Sequence, residues 1–291
     1  MKHWLKIALL SAVPVVSSAH TMSPFVLPEV FDTKSNNVSF QSGITVEKFY
    51  APTLNFKTNY VITLPNGSTK AVSPAASLKR FNIAEFDLPE EGTYRIRTEG
   101  AEGNAGQYAL VDGRWLRVRA ARPMTAAQQN APVANAATPA PAQPPRMITA
   151  NQVPANAQKL DVKNVYIAES FVTKNKPTAV PKINKQGFEV ELLTHPNQLF
   201  VGESFKGRVL YNGKPVKDLE VDVFKGASTY EPNANREQPH VKTNKNGEFE
   251  VNFKDAGLYL ITTAYPEVNS DNTKKPAPIN YTYSLAVEVT E

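Results

Sequence analysis

The stretch NKNGEFEVNFKDAGLYLITTAY, residues 244–265, decides the fold class. Past Asn246-Gly247, Phe249, Val251 and Phe253 alternate with Glu248, Glu250 and Asn252, a period of two that turns one face inward and leaves the other wet. Leu258 to Tyr265 then form a second run rich in β-branched and aromatic side chains. Asn-Gly between such runs predicts a hairpin, because both central residues of a type I′ turn need positive φ.

Working outward, the same grammar repeats. FEVELLT offers Phe188, Val190 and Leu192; FKGRVLY leads into Asn212-Gly213; LEVDVF alternates Leu219, Val221 and Val223; YSLAVEV closes the chain. Upstream, NYVITLPNGS alternates Tyr60, Ile62 and Leu64 before Asn66-Gly67, FNIAEFDL follows, and EEGTYRIRTE alternates Tyr94 and Ile96. Asp112-Gly113 turns the chain into RWLRVRA, with Leu116, Val118 and Ala120 on one side and Trp115, Arg117 and Arg119 on the other. Short strands at regular spacing predict an all-β protein of two β-sandwiches, immunoglobulin-like or transthyretin-like, with little helix.

Between the two halves the composition changes. RPMTAAQQNAPVANAATPAPAQPPRMITANQVPANAQ, residues 122–158, is rich in Ala, Pro, Gln and Asn and lacks periodic apolar residues. Such a segment reads as a linker of extended polyproline character. The expected organisation is a leader at 1–19, an N-terminal sandwich at 20–121, the linker at 122–158 and a C-terminal sandwich at 159–291.

The leader has the form of a secretory signal: Lys2 and Lys6, an apolar run from Ile7 to Val16, then Ser17-Ser18-Ala19. The run is about half of the roughly 20 residues that a membrane-spanning helix needs. Cleavage would start the mature chain at His20, in a periplasm, with no membrane span. The formal charge of +5 loses two lysines and no acid, so 5 − 2 leaves +3, too mild to imply nucleic acid. The absence of cysteine removes disulfides and thiolate metal chemistry.

Catalytic signatures are missing: there is no G-x-S-x-G elbow, phosphate loop, H-E-x-x-H or EF-hand loop. Glu90 and Glu91 read as decoration of a solvated turn, and the arginines of GRWLRVRAAR as the wet side of a strand. The expectation is a protein that is not an enzyme. Histidine is more informative. At a mature terminus His20 would offer its α-amine and its imidazole to one ion, and a second imidazole would complete a T-shaped histidine brace suited to Cu(II) or Ni(II). His195, in ELLTHPNQLF, is the first-choice partner, or else a turn histidine bonded to backbone; His240, in EQPHVKTN, is the reserve. Glu29 and Asp32 are carboxylates near His20 in sequence. A brace-type copper oxidase would need His20 and a second histidine on one flat face, and Trp115 alone hints at carbohydrate.

AHTMSPFVLPEVF, FVTKNKPT, LLTHPNQLFVGESFKGRVLYNGKPVKDLEVDVFKG and VKTNKNGEFEVNFKDAGLYLITTAY together resemble the uncharacterised exported proteins grouped with nickel and cobalt uptake components. The resemblance implies a periplasmic protein of two β-rich parts, the second similar to transthyretin-like and carboxypeptidase-regulatory-like sandwiches. It also implies an association with metal uptake, with His20 as the post-signal histidine and Thr194 to Asn197 as the T-H-P-N segment. The expected function is binding or delivery of a divalent transition metal (Ni, Co, Cu or Fe) or its chelate through His20, His195 and His240, with an inner- or outer-membrane uptake component as partner. The rival expectation is a non-catalytic module that docks on a transporter without metal.

Overall fold

The computed structural model describes residues 22–45, 52–55, 57–102, 106–120, 146–226, 240–267 and 271–291. Among them are twenty-one strands, one 3-10 turn at Ala150–Gln152 and no α-helix, so the protein is all-β as its alternation predicts.

The first half supplies β1 (Ser23–Pro28), β2 (Asp32–Thr33), β3 (Asn37–Thr45), β4 (Tyr60–Thr63), β5 (Thr69–Val72), β6 (Ala76–Ser77), β7 (Phe81–Asp87), β8 (Gly92–Thr98), β9 (Ala101–Glu102), β10 (Gly106–Val111) and β11 (Arg114–Arg119). The second supplies β12 (Met147–Thr149), β13 (Lys159–Lys174), β14 (Phe188–Leu192), β15 (Ser204–Tyr211), β16 (Lys214–Pro215), β17 (Glu220–Lys225), β18 (Val241–Lys242), β19 (Glu248–Asn252), β20 (Gly257–Tyr265) and β21 (Ile279–Val289).

Two cores follow from the alternation. Val26, Val38, Phe40, Tyr60, Ile62, Phe86, Tyr94 and Ile96 fill the space between the sheet β1-β3-β7-β6 and strands β4 and β8. Phe188, Val190, Phe205, Val221, Val223, Phe249, Val251, Phe253, Tyr259 and Leu285 fill the space between the sheet of β14, β15, β16 and β19 and strands β17, β20 and β21. Each is a sandwich of two facing sheets.

The strand β13 joins them. It runs parallel to β21 from Lys163↔Ile279 to Glu169↔Leu285, then antiparallel to β8 from Ser170↔Ile96 to Lys174↔Gly92, and so belongs to both halves of one thirteen-stranded sheet. The organisation expected from composition differs here. Residues 122–145 of the expected linker lie outside the described residues, but Met147–Thr149 pair in parallel with Arg117–Arg119, so the second part of that segment is strand and turn. Three short apolar or β-branched residues suffice because β11 offers an open edge for them to pair with.

The β8 strand departs from simple alternation for the same reason. Thr93, Arg95 and Arg97 sit on its outward face, yet Thr93 and Arg95 are buried because the second half stacks on them. Both guanidinium groups bond the carboxylate of Glu169 on β13, and the hydroxyl of Tyr283 donates to its other oxygen at 2.9 Å. Burial alone would raise the Glu169 carboxyl, but Arg95 and Arg97 outweigh it and hold it below its ordinary value. Trp115 is another exception: it is buried beside Leu116 although it alternates with arginines, at a point where its backbone N–H donates to the Asn272 carbonyl at 2.7 Å.

The Asn-Gly and Asp-Gly turns divide into two kinds. Asp112 and Gly113 (φ 50° and 74°) and Asn212 and Gly213 (φ 49° and 74°) are the expected two-residue hairpin turns. At Asn66-Gly67 and Asn246-Gly247 only the glycine has positive φ. The Gly247 N–H donates to Asn244 O at 2.9 Å and the Asn244 carboxamide caps the N–H groups of Asn246 and Glu248, a wider turn that carries the chain from β18 in one sheet to β19 in the facing one. The hairpin expected there is therefore a crossover.

Candidate metal centre

The β17 strand places Val221 and Val223 in the core, so Glu220 and Asp222 point outward. The register Val221↔Val241 sets His240 opposite Asp222, on the same outer face. The result is a compact donor set: His240 Nδ1 lies 2.5 Å from Asp222 Oδ1 and 3.4 Å from Glu220 Oε1, and the three ligand atoms fall within 4.8 Å of one another. In the form shown, Nδ1–H donates to the Asp222 carboxylate. Among the described residues this is the single group of three His, Asp or Glu side chains gathered closely enough to share an ion.

The strand next to β17 is β20, with Thr262 opposite Asp222. Thr262 Oγ1 donates to Tyr283 O at 2.9 Å, which locks this neighbour, and lies 3.4 Å from Ser23 Oγ at the start of β1. The outer face that carries the cluster is therefore the face that β1 covers.

His195 is placed elsewhere, in the turn after β14. Its Nε2–H donates to Thr178 O at 3.0 Å, with Thr93 Oγ1 at 3.1 Å, while Nδ1 accepts from the Asn197 N–H at 3.2 Å. Both ring nitrogens are engaged, as in the turn-histidine alternative. Burial holds its imidazole below the ordinary value, against the upward pull of the Thr178 carbonyl and Asp32. Beside it, Asn197 Nδ2 donates to Phe31 O at 2.7 Å and Phe171 O at 3.1 Å, so the Thr194–Asn197 segment clasps the two halves. His195 does not join His240 in a cluster. His20 lies outside the described residues.

The two carboxylates nearest His20 in sequence have other partners. Glu29 Oε1 accepts the Ser39 N–H at 3.1 Å. Asp32 lines an open groove of about 580 Å³ with Leu27, Phe31, Leu258 and Glu288. Partial burial there raises both Asp32 and Glu288, the Asp32 charge raises Glu288 further, and His195 draws Asp32 down. Glu91 is exposed as expected and accepts from Asn175 at 2.8 Å, whereas Glu90 is half-buried, with its Oε1 enclosed and its backbone carbonyl accepting from the Tyr94 hydroxyl at 2.7 Å.

Sequence reasoning missed Glu220 and Asp222. Their signal was present in the alternation of LEVDVF, which assigns both to the wet face, but nothing local says which residue stands across from them.

Residues 17–267 match the family described as Domain of unknown function (DUF4198). No curated protein matches the sequence. Among solved structures the chain is similar to the D0-D1 domain of intimin (10% identity, TM-score 0.23, covering 91% of this chain and 97% of that one). It is also similar to the FN1-FN3 domains of chicken CNTN1 (10% identity, TM-score 0.22, 92% and 99%) and to a marsupial T cell receptor (8% identity, TM-score 0.20, 91% and 74%).

Proposed function

The chain belongs to the DUF4198 family of unknown function, and we propose that it binds a divalent transition metal at Glu220, Asp222 and His240, as a periplasmic binding or delivery protein in metal uptake. One observation carries the reading: an imidazole nitrogen and two carboxylate oxygens, held by paired strands, converge within 4.8 Å. Donors that share a transition metal at about 2.0–2.2 Å lie roughly 3–4 Å apart. The Nδ1–Oε1 separation of 3.4 Å already fits, and the Nδ1–Oδ1 separation of 2.5 Å needs only to open by a small side-chain rotation as the ion replaces the shared proton.

A nitrogen with two carboxylates suits Ni, Co, Cu, Zn or Fe(II) better than Ca²⁺ or Mg²⁺, which prefer oxygen alone. Two carboxylates also cancel the charge of M²⁺. Glu220 and His240 are solvent-exposed, so coordination positions stay open and the ion can leave, which fits transfer to an uptake component rather than storage.

Calorimetric titration of the protein with Ni(II), Co(II), Cu(II) and Zn(II), beside His240→Ala and Asp222→Asn, tests this. Binding lost in both variants, with a metal-dependent rise in Tm for the parent by mass action, is the expected outcome. Equal heats and unchanged Tm in all three proteins would leave the metal-free docking module in front.

A further inference from the structure

We propose that the open groove between the two sandwiches binds a small organic cation, a protonated amine that carries an apolar body. This site is independent of the metal cluster.

Strand register builds the groove. On one wall, Leu27, Gln41 and Ile83 stand directly opposite one another across β1, β3 and β7, and so share the outer face of that sheet. On the other wall, Leu258 and Glu288 pair across β20 and β21 and share the outer face of theirs. The two faces meet where Phe25, Leu27 and Phe31 pack with Leu260 and Ala286. Beside that contact they leave an open space of about 580 Å³. Sites for small organic ligands occupy roughly 300–1,000 Å³, so the space has the right size.

Its lining says what fits. Phe81, Ile83 and Leu258 give it apolar walls, and Ile83 stays 38% exposed on a strand whose alternate residues are core. Its charges are all negative: Glu29, Asp32 and Glu288 line it, and among the described residues no lysine or arginine does. Glu29 already accepts the Ser39 N–H. Asp32 sits on β2, anchored opposite Thr173 of β13, and Glu288 sits on β21, so the fold itself brings these two carboxylates together. They are close enough that the Asp32 charge raises Glu288. His195 draws Asp32 down, but burial holds its own imidazole below the ordinary value, so at neutral pH it supplies little positive charge.

The chemistry of the occupant follows by elimination. Two part-buried like charges without a fixed cation cost the fold energy, which a bound ammonium offsets. A bare metal ion fits less well, because these three carboxylates do not gather as closely as Glu220, Asp222 and His240 do, and an ion makes no use of the apolar walls. A neutral apolar ligand would strip water from the carboxylates and leave them unpaired. An amine on an apolar body satisfies both halves of the lining, with its charge at Asp32 and Glu288 and its body against Ile83 and Leu258.

The test is calorimetric titration of the full chain with phenethylamine. Beside it stand phenethyl alcohol, which keeps the body without the charge, and methylamine, which keeps the charge without the body. Phenethylamine should bind at one site, and each of the other two should bind at least about 10-fold more weakly, as loss of a charge-assisted hydrogen bond or of a buried apolar group implies. Asp32→Asn and Glu288→Gln should each weaken phenethylamine by about 10-fold with Tm retained, because each removes one of two like charges. Ile83→Lys, at an exposed position, should abolish binding by placing a tethered ammonium in the groove. His240→Ala should bind phenethylamine as the parent does, so this result and the metal reading stand or fall separately. Equal affinity for phenethylamine and phenethyl alcohol, or an affinity unchanged in both carboxamide variants, overturns the proposal. So does a failure of phenethylamine to bind, or Ca²⁺ binding that the same two variants abolish, which would make the groove an inorganic cation site.

Discussion

What separates His195 from His240 is what their ring nitrogens already do. His195 donates to Thr178 and accepts from Asn197, and its Nε2 also lies 3.1 Å from Thr93 Oγ1, a contact that ties this turn of the second half to the start of β8 in the first. His240 shares one proton with Asp222 on an exposed face. His195→Ala should therefore lower Tm and leave metal affinity nearly unchanged, while His240→Ala should abolish metal binding with little loss of Tm; thermal melts beside calorimetric titration check both. His195 also sets a pH dependence. Its folded imidazole is held below the ordinary value by burial, so the unfolded chain takes up a proton first. This contribution is complete above about pH 6.5 and is lost as pH falls towards the folded value. Urea unfolding at a series of pH values should show the decline in the parent and a flatter profile in His195→Gln. The turn role was legible, since THPN at a strand end reads as a turn. The pairing of His240 was not, because Asp222 is 18 residues away in sequence and only the β17–β18 register brings them face to face.

At the scale of elements, alternation reports which side of a strand is apolar but not what covers the other side. Tyr94 and Ile96 of β8 face the core as the period of two requires, whereas Arg95 and Arg97, which the same pattern assigns to water, pair with Glu169 in the interior. Glu169→Gln should destabilise by about 3–5 kcal/mol, because it leaves two guanidinium groups facing a site built for a carboxylate. Chemical denaturation at neutral pH measures this. Since the arginines hold Glu169 below its ordinary value, its contribution is present above about pH 4.3 and is lost as pH falls through the folded value, so the gap between parent and variant should narrow in acid. Turns show a similar limit. Asn246-Gly247 announces a turn but not its destination. Gly247 sits at φ 73° with an added Cβ only 2.5 Å from Val209 O, whereas an added Cβ at Gly67, φ 86°, meets nothing within 4 Å. Gly67→Ala should cost about 1 kcal/mol for the left-handed backbone alone, and Gly247→Ala clearly more, when the two are unfolded side by side.

In the whole molecule, composition and connectivity pull in different directions. An Ala/Pro-rich segment at 122–158 reads as a boundary, because nothing in it can build a core. Yet the chain that resumes beyond it returns to the first half: β12 pairs with β11, and β13 pairs with β10 at its start, β9 at its middle and β8 at its end, while its middle also lies along β21. Parallel pairing between β13 and β21, more than a hundred residues apart, leaves no local mark in either strand, which is why two sandwiches were legible and their fusion was not. The fusion has a measurable consequence. Cutting the chain between Ala126 and Ala140, at an inserted protease site, breaks the covalent path between the halves but none of the β8–β13 hydrogen bonds, the Arg95–Glu169 and Arg97–Glu169 pairs or the Asn197–Phe31 bond. β13 would lose a full edge, and Glu169 both its cations, if the fragments parted. Ion pairs so buried do not separate cheaply. The nicked protein should therefore elute as one species in native gel filtration and melt in a single transition slightly below that of the intact chain, and the fragments should separate only in denaturant. Two species under native conditions, or two resolved calorimetric transitions before cutting, would mean that β13 serves one sandwich and only leans on the other.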